Sequence, residues 1–311
     1  MRAETQFNNL HDLLEYFKDE TVCREYLERF RWNGTPACPF CGSLNPYKLG
    51  DGKIYKCSTR ECGKKFTATV GTIFENTKIP LSKWFIAMYL ITSHKKGISS
   101  LQLGRDVGVT QKTAWFINHR IREMLKDNAP ELLGNIVEVD ETYVGGKDRF
   151  KHNSKKTGGT QGRSVKDKTV MFGLLERKGR VVAYKIPNAQ RATLIPLIEN
   201  SVEKGSTVIT DEHYAYRAIS KEYTHLSINH AQDIYVNGIA HTNSIEGFWS
   251  LFKRGIIGIY HNVSEKHIDR YLVEFSQRYN TRKTTEADRF NYFLSNCEGR
   301  LKYQDLIKEN D

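Results

Sequence analysis

Residues 138–142 read Glu-Val-Asp-Glu-Thr and close an apolar run that predicts a buried β-strand. Side chains alternate along a strand, so Glu138, Asp140 and Thr142 are expected on one face. An acid at the end of a strand projects into the crevice where α/β sheets usually bind ligands. The stretch therefore predicts an α/β domain with a functional acid at the edge of its sheet.

A second acid stands at the end of another apolar run, since residues 208–211 read Val-Ile-Thr-Asp. Asp211 directly ends this predicted strand and, like Asp140, would project into the crevice. The same region contains two further predicted strands and one predicted helix, at 169–175, 180–186 and 193–203. Strands that are joined through a helix in this way are typical of an α/β fold.

A third acid lies in the first turn of a predicted helix that opens with Asn243-Ser-Ile-Glu246. The apolar residues Ile245, Phe248 and Phe252 recur at helical spacing and are expected to face the core. Another face carries polar residues at spacings of three, four and three, namely Asn243, Glu246, Ser250 and Lys253. That face presents an amide, an acid and a cation in a common direction.

Three carboxylates on two strands and a helix suit a site with two divalent metal ions. Such sites cleave phosphodiesters with ions about 4 Å apart, bridged and flanked by carboxylate oxygens. Asp140, Asp211 and Glu246 are the predicted metal ligands, because crowded carboxylates repel one another without a cation. Each acid alone would equally suit an ordinary turn or a solvated helix start. Neighbouring acids at 138, 141 and 212 compete for the same roles.

Four of the six cysteines form two close pairs, Cys38-x2-Cys41 and Cys57-x4-Cys62, with fifteen residues between the pairs. Four thiolates in this spacing can surround one tetrahedral zinc ion, and a small β unit with little core needs such a staple. A redox dithiol would account for one pair only. The pattern therefore predicts a zinc ribbon whose Zn²⁺ is structural, because four thiolates leave no open position for water.

Residues 99–122 predict two helices joined at Val107-Gly108-Val109, with Thr110 as the N-cap of the second. A two-helix turn of this kind is either a DNA-binding helix-turn-helix or plain packing. Under the DNA-binding interpretation, polar residues of the second helix reach base edges and a basic residue contacts phosphate. The predicted DNA-binding residues of this helix are Gln111, Lys112, Thr113, Asn118 and Arg120.

The chain has 311 residues and a formal net charge of +11, with a sequence pI near 9.2. Such a basic chain usually meets a polyanion, since phosphate neutralisation releases counterions, although a merely basic protein has the same charge. No apolar run follows the first residues, and the longest one, at 84–91, is too short to span a bilayer. The expected location is the reducing cytoplasm, with no membrane contact.

The three acids, with Lys253 seven residues beyond Glu246, resemble the DDE signature of bacterial insertion-sequence transposases. Two strings are similar to one branch in particular: Thr-Asn-Ser-Ile-Glu-Gly-Phe-Trp-Ser-Leu-Phe-Lys-Arg-Gly-Ile-Ile-Gly at 242–258 and Asp-Glu-Thr-Tyr-Val-Gly-Gly-Lys at 140–147. That branch carries an N-terminal zinc ribbon, a helix-turn-helix and an RNase-H-like, retroviral-integrase-like catalytic domain. The resemblance extends from about Cys38 to Asn280.

The resemblance implies a DNA transposase that cleaves insertion-sequence ends by two-metal hydrolysis and joins the 3′ ends to target DNA by transesterification. Asp140, Asp211 and Glu246 would hold two Mg²⁺ or Mn²⁺ ions per active site. Lys253 and Arg254 would contact DNA, and Asn243 would assist Glu246 or replace it as the third ligand.

The implied partner is double-stranded DNA, both transposon ends and target, bound by a homo-oligomer that is at least a dimer. A bacterial cytoplasmic location follows, with association with the nucleoid when DNA is bound. Two alternatives from other classes stay open: a DNA-binding regulator, and an RNase-H-like endonuclease derived from a transposase.

The predicted organisation has five parts along the chain. They are an N-terminal helical segment at 1–32, a zinc ribbon at 33–76, a helix-turn-helix domain at 77–130, an RNase-H-like DDE catalytic domain at 131–296 and a C-terminal tail at 297–311.

Overall fold

The computed structural model describes residues 7–126, 130–145, 168–219, 221–228 and 241–308. The chain divides into two compact units. The first contains Met1–Lys126 together with Lys283–Asp311, and the second contains Asp127–Arg282.

The first unit begins with two helices, α1 (Leu10–Tyr16) and α2 (Glu20–Trp32), where the sequence predicts one helical segment. Each helix starts at a side chain that accepts a hydrogen bond from a first-turn backbone N–H, Asn9 for α1 and Asp19 for α2. Helix α1 ends with Phe17 as its C-cap, and Asp19 starts α2 two residues later.

A three-stranded antiparallel sheet follows, with β1 (Pro46–Lys48), β2 (Tyr55–Cys57) and β3 (Lys65–Phe66) in that order. Its core is small: the Tyr55 and Phe66 rings stack at 5.7 Å, and the Trp32 ring meets Tyr55 at 5.0 Å. The sequence predicts short strands at 53–56 and 65–70, which overlap β2 and β3, but it does not predict β1, which has three residues and little burial.

Three helices complete the N-terminal part of this unit: α3 (Leu81–Ser93), α4 (Ser100–Val107) and α5 (Gln111–Met124). Thr110 caps α5 as predicted, and Gly108 ends α4 in the left-handed region at φ 65°. The helices approach closely at Gly104, where a Cβ would lie 2.9 Å from the carbonyl oxygen of Val109. The predicted helix-turn-helix geometry is confirmed.

Two C-terminal helices, α9 (Glu286–Ser295) and α10 (Tyr303–Ile307), belong to this first unit. The buried Phe290 ring packs on Phe7, Phe17 and Phe85, at centroid distances of 5.3 to 5.8 Å. The sequence predicts that the catalytic domain extends to residue 296, whereas the second unit ends at Arg282. The apolar pattern of an amphipathic helix predicts that one face is buried, but it does not predict which hydrophobic core that face contacts.

The second unit is built on a five-stranded sheet with the order β6-β5-β4-β7-β8. The strands are β4 (Ile136–Val144), β5 (Thr169–Glu176), β6 (Val181–Ile186), β7 (Thr207–Asp211) and β8 (Thr224–Ile228). The first three pair antiparallel, and β7 is parallel to both β4 and β8. This is the sheet of the RNase-H-like fold, so the predicted fold class is confirmed.

Helices cover both faces of this sheet, as the strand alternation requires. Helix α6 (Arg191–Ser201) packs on one face, against residues such as Val139, Phe172 and Leu174. Helices α7 (Asn243–Gly255) and α8 (Ile268–Asn280) pack on the other face, against Met171 and Leu175. The α7 side is also the face that carries Glu138 and Asp140.

Gly173 allows helix α7 to lie close to the sheet. It pairs with Asp140 across the β4–β5 ladder. A Cβ at this position would lie 2.6 Å from Cζ2 of Trp249 and 3.0 Å from Cδ1 of Ile245. Both of these side chains come from α7, so the glycine sets how near the helix comes to the strand that bears Asp140.

No helix among the described residues combines the length and the apolar character that a membrane span requires.

A Gly173→Ala substitution is expected to lower the free energy of unfolding by about 1–3 kcal/mol, because the added methyl overpacks the α7–sheet contact. Gly247→Ala is the matched control: Gly247 lies exposed on α7, and a Cβ there meets no atom within 4 Å. The control should raise stability by about 0.5–1 kcal/mol through helix propensity. Urea unfolding followed by circular dichroism measures both, and equal effects of the two substitutions would contradict the close α7 contact.

Candidate active site

Asp140 and Asp211 come from the neighbouring parallel strands β4 and β7. The β4–β7 pairing runs to Glu138 opposite Ile209, so each aspartate stands two residues past that pair. Asp211 ends β7 as predicted, but the prediction that Asp140 ends its strand is wrong, because β4 continues to Val144 in its pairing with β5. Both aspartates are half-buried, and both are held on rigid strand backbone.

Glu246 approaches Asp140 from the other side, from the first turn of α7. A first hollow beside Asp140 is lined by Asp211 and Lys168, and a second is lined by Glu246 and Trp249. Residues common to the walls of both hollows are Asp140, Glu141, Thr142 and Lys253. Asp140 therefore stands between the other two predicted acids.

The predicted acids are spread out rather than packed around one point. Among the described residues, only the four cysteines bring three or more potential ligand atoms within 4.8 Å of one another. A carboxylate between two hollows, with one further acid on each side, suits two cations better than one. Asn243 is exposed and lines neither hollow, whereas Glu246 lines the second one. This favours Glu246 over Asn243 as the third metal ligand.

The acids that compete in the sequence have different surroundings. Glu138 is fully buried and Glu212 is exposed. Glu141 lines both hollows, and its carboxylate accepts a hydrogen bond from the hydroxyl of Tyr216. Burial and the charge of Glu141 raise the pKa of Tyr216 well above its ordinary value, so the hydroxyl stays a donor. The sequence does not single out Tyr216, whose partner lies far away along the chain.

The surroundings of Asp140 oppose its ionisation. Burial, together with the charges of Glu141, Asp211 and Glu246, raises the pKa of Asp140 from its usual 3.8 to about 7. Lys253 lines both hollows beside these acids. A bound cation would favour the charged carboxylate, so the cluster fits a metal site.

The four cysteine sulfurs of the first unit lie in a compact group, all within 4.8 Å of one another. Cys38 Sγ is 3.8 Å from Cys62 Sγ, and Cys41 Sγ is 3.6 Å from Cys57 Sγ. Zinc–sulfur bonds of about 2.3 Å place the corners of a tetrahedron about 3.8 Å apart. The spacing of the sulfurs therefore fits a single tetrahedral zinc ion.

The most exposed part of helix α5 is its first turn. Gln111 and Lys112 are exposed and Thr113 is half-exposed. Lys112 lies over the ring of Tyr303, with its Nζ 5.1 Å from the centroid. Gln111 donates a hydrogen bond to the hydroxyl of Ser100. These three predicted DNA-binding residues are placed where a ligand could reach them.

Two of the predicted DNA-binding residues are wrong, because the second half of α5 is buried. Asn118 is 2% exposed and Arg120 is 4% exposed. Arg120 donates to the carbonyl oxygen of Glu75 at 2.8 Å, and its guanidinium lies 5.4 Å from the centroid of Trp84. Arg120 is therefore engaged inside the unit, and neither side chain is exposed on the surface of α5.

The basic residues of α7 differ in exposure. Lys253 is half-buried in the wall of both hollows, whereas Arg254 is exposed and lines only the hollow of Glu246. Arg254 Nε donates to the carbonyl oxygen of Ser250 at 3.2 Å. Cations thus border the acids on the helix side.

The two units match separate family models. The model of the ISXO2-like transposase domain matches residues 131–280, and that of the transposase zinc-ribbon domain matches residues 18–65.

Relatives that match this chain come from an archaeon and a bacterium. A protein in transposable element ISH50 of Halobacterium salinarum is 28% identical over 277 residues, which are 85% of this chain and 92% of the relative. A transposase-like protein of Haemophilus influenzae is 33% identical over 104 residues, 33% of this chain and 83% of the relative. A chain of the pre-cleavage Mos1 transpososome shares 12% identity, covering 66% of this chain and 75% of that one, and its TM-score of 0.30 is too low to support a conclusion.

In buffer without Mg²⁺ or Mn²⁺, Asp140→Asn is expected to stabilise the protein at pH 8. The raised pKa means that Asp140 destabilises the fold increasingly as pH rises from 3.8 to about 7. The uncharged variant should gain up to about 4 kcal/mol above pH 7 and progressively less towards pH 5. Thermal unfolding at several pH values measures the difference, and a variant that is less stable at pH 8 would show that Asp140 is not repelled.

Proposed function

The chain belongs to the ISXO2-like transposases, and from that premise we propose that it cleaves insertion-sequence ends and joins their 3′ ends to target DNA. The observation that carries the proposal is the convergence of Asp211 from β7 and Glu246 from α7 on either side of Asp140. Membership makes the chain a DNA-processing enzyme of the DDE kind. The two hollows beside Asp140 support the roles proposed below for individual residues.

Asp140, Asp211 and Glu246 would hold two Mg²⁺ or Mn²⁺ ions. Carboxylate oxygens are the ligands that these hard cations prefer, and burial together with the neighbouring acids raises the pKa of Asp140. When bound, such ions activate the attacking oxygen and stabilise the leaving 3′ oxygen of a phosphodiester. The protein supplies ligands on two strands and a helix, so their spacing does not depend on loops.

Lys253 is proposed to bind the phosphate beside the metal ligands. It lines both hollows, so its ammonium group can meet DNA on either side of Asp140. A lysine acts as a compact point charge that follows a phosphate through small movements. The exposed Arg254 would contact the DNA backbone next to the hollow of Glu246.

Water, and then the freed 3′ hydroxyl of the transposon end, would act as the attacking groups. The two steps are hydrolysis and transesterification at phosphorus, and neither requires a covalent bond between protein and DNA. The charge on the chain, +11 overall, favours a polyanionic substrate.

The first unit is proposed to recognise the transposon end. Cys38, Cys41, Cys57 and Cys62 would hold a structural zinc ion, which a sheet with so small an aromatic core needs. The exposed start of α5, with Gln111, Lys112 and Thr113, would contact double-stranded DNA. Because two transposon ends must be joined to one target DNA, a homo-oligomer that is at least a dimer is favoured.

Strand transfer tests the proposal. Full-length protein, Mg²⁺, labelled DNA with the terminal repeats that flank the gene, and a plasmid target should yield joined products. Asp211→Ala should reduce the joining rate by about 100- to 1,000-fold, since metal stabilisation of transition-state charge is worth several kcal/mol. Glu212→Ala is the control, because Glu212 is exposed and lines neither hollow.

Other outcomes identify the alternative classes. Equal joining by Asp211→Ala and the unchanged protein would overturn the assignment of the cleft. Cleavage without joining would indicate an endonuclease, and specific binding without any strand breakage would indicate a regulator.

A further inference from the structure

Helix α7, which carries Glu246, is not capped by its own N-cap residue. The side chain of Thr242 makes no capping hydrogen bond. Its hydroxyl instead donates to Glu246 Oε1 at 2.7 Å. Thr242 is therefore already engaged with the proposed metal ligand, and the backbone N–H groups of the first turn need another acceptor.

Glu138 of strand β4 provides that acceptor. Its Oε2 accepts hydrogen bonds from the backbone N–H of Ser244 at 2.8 Å and of Ile245 at 3.0 Å. Its Oε1 accepts from the Ser244 hydroxyl at 3.0 Å. A charged acceptor at a helix N-terminus also interacts favourably with the helix dipole. The carboxylate is fully buried, so these bonds are not exchanged with water.

Arg177 balances the charge of Glu138 and ties down the preceding chain. Its Nε donates to Glu138 Oε1 at 2.9 Å. Its Nη2 donates to the carbonyl oxygen of His241 at 3.0 Å. The strand, the arginine and the residues before and after the N-cap therefore form one hydrogen-bonded unit.

We propose that Glu138 is a positioning residue that sets the place of Glu246 relative to Asp140. Glu138 and Asp140 lie on one face of β4, two residues and thus about 6.7 Å apart. One of the two backbone N–H groups that donate to Glu138 belongs to Ile245, the residue before Glu246. Asp140 and Glu246 are linked through a short stretch of strand, one buried carboxylate and one helical residue. This inference rests on the proposed metal site.

A buried acid of the same unit provides a comparison. Glu274 on α8 is also fully buried, pairs with Arg278 and accepts a hydrogen bond from the hydroxyl of Tyr260. It lines neither hollow. Loss of either acid removes a buried ion pair, but only loss of Glu138 is expected to disturb the metal ligands.

Calorimetric titration of the full-length, zinc-loaded protein with Mn²⁺ is the test. Glu138→Gln should weaken Mn²⁺ binding by about 10- to 100-fold, the usual effect of losing a residue that orients a metal ligand. Glutamine has a single oxygen acceptor, so it cannot hold the first turn of α7 and receive Arg177 as well. Glu274→Gln should lower the thermal stability while leaving the Mn²⁺ affinity within about two-fold.

A double-mutant cycle separates positioning from general destabilisation. If Glu138 acts through Glu246, then adding Glu138→Gln to Glu246→Gln should weaken Mn²⁺ binding no further than Glu246→Gln alone. Multiplied losses, or a Glu138→Gln variant with unchanged affinity, would overturn the inference. If Glu138→Gln does not fold, Glu138→Asp takes its place: it keeps the charge, is one methylene shorter and should show a smaller loss in the same direction.

Failure of the proposed function gives a different result. Affinity that is unchanged by Glu246→Gln, or no Mn²⁺ binding by the unchanged protein, would overturn the metal site itself and this inference with it. Weakening by Glu246→Gln without any effect of Glu138→Gln would overturn the positioning role alone.

Discussion

The packing of helix α7 against the sheet is the constraint on which the proposed site depends. Glu246 lies thirty-five residues beyond Asp211 and must return to the strand that bears Asp140. Gly173 lets the helix approach the sheet, because any larger residue would meet Trp249 and Ile245. Glu138 then accepts hydrogen bonds from the first turn of the helix. Close packing at Gly173 sets the distance between helix α7 and the sheet, and the hydrogen bonds to Glu138 set the position of the helix along the sheet.

Two acids on one strand show how surroundings separate structure from chemistry. Glu138 and Asp140 share a face of β4, and the alternation of the sequence cannot distinguish them. In the structure Glu138 receives backbone N–H groups, a hydroxyl and Arg177, so its charge is satisfied inside the fold. For Asp140, burial and the charges of Glu141, Asp211 and Glu246 raise the pKa to about 7. An acid whose charged form is disfavoured by its surroundings is the better candidate for a cation ligand.

Most of the fold could be predicted from local sequence patterns. Apolar runs predicted β4 to β7, and the cysteine spacing and the turn at Gly108 predicted the geometry of the first unit. Strands β1 and β8 were not predicted, since they are short and only partly buried. The burial of Asn118 and Arg120 and the packing of Phe290 depend on long-range contacts that periodicity does not encode. The sequence predicts Asp140, Asp211 and Glu246, but the contacts of Tyr216 and the cap by Glu138 join residues far apart along the chain.

Asp140, Asp211 and Glu246 would together hold two cations, since one further acid lies in each hollow beside Asp140. Crystals of the full-length protein soaked in Mn²⁺ and measured near the manganese absorption edge test for these ions. Two anomalous peaks are expected beside the Asp140 carboxylate, separate from the zinc signal at the four cysteines. A map with zinc at the cysteines and no manganese peak at Asp140 would contradict the proposed metal site.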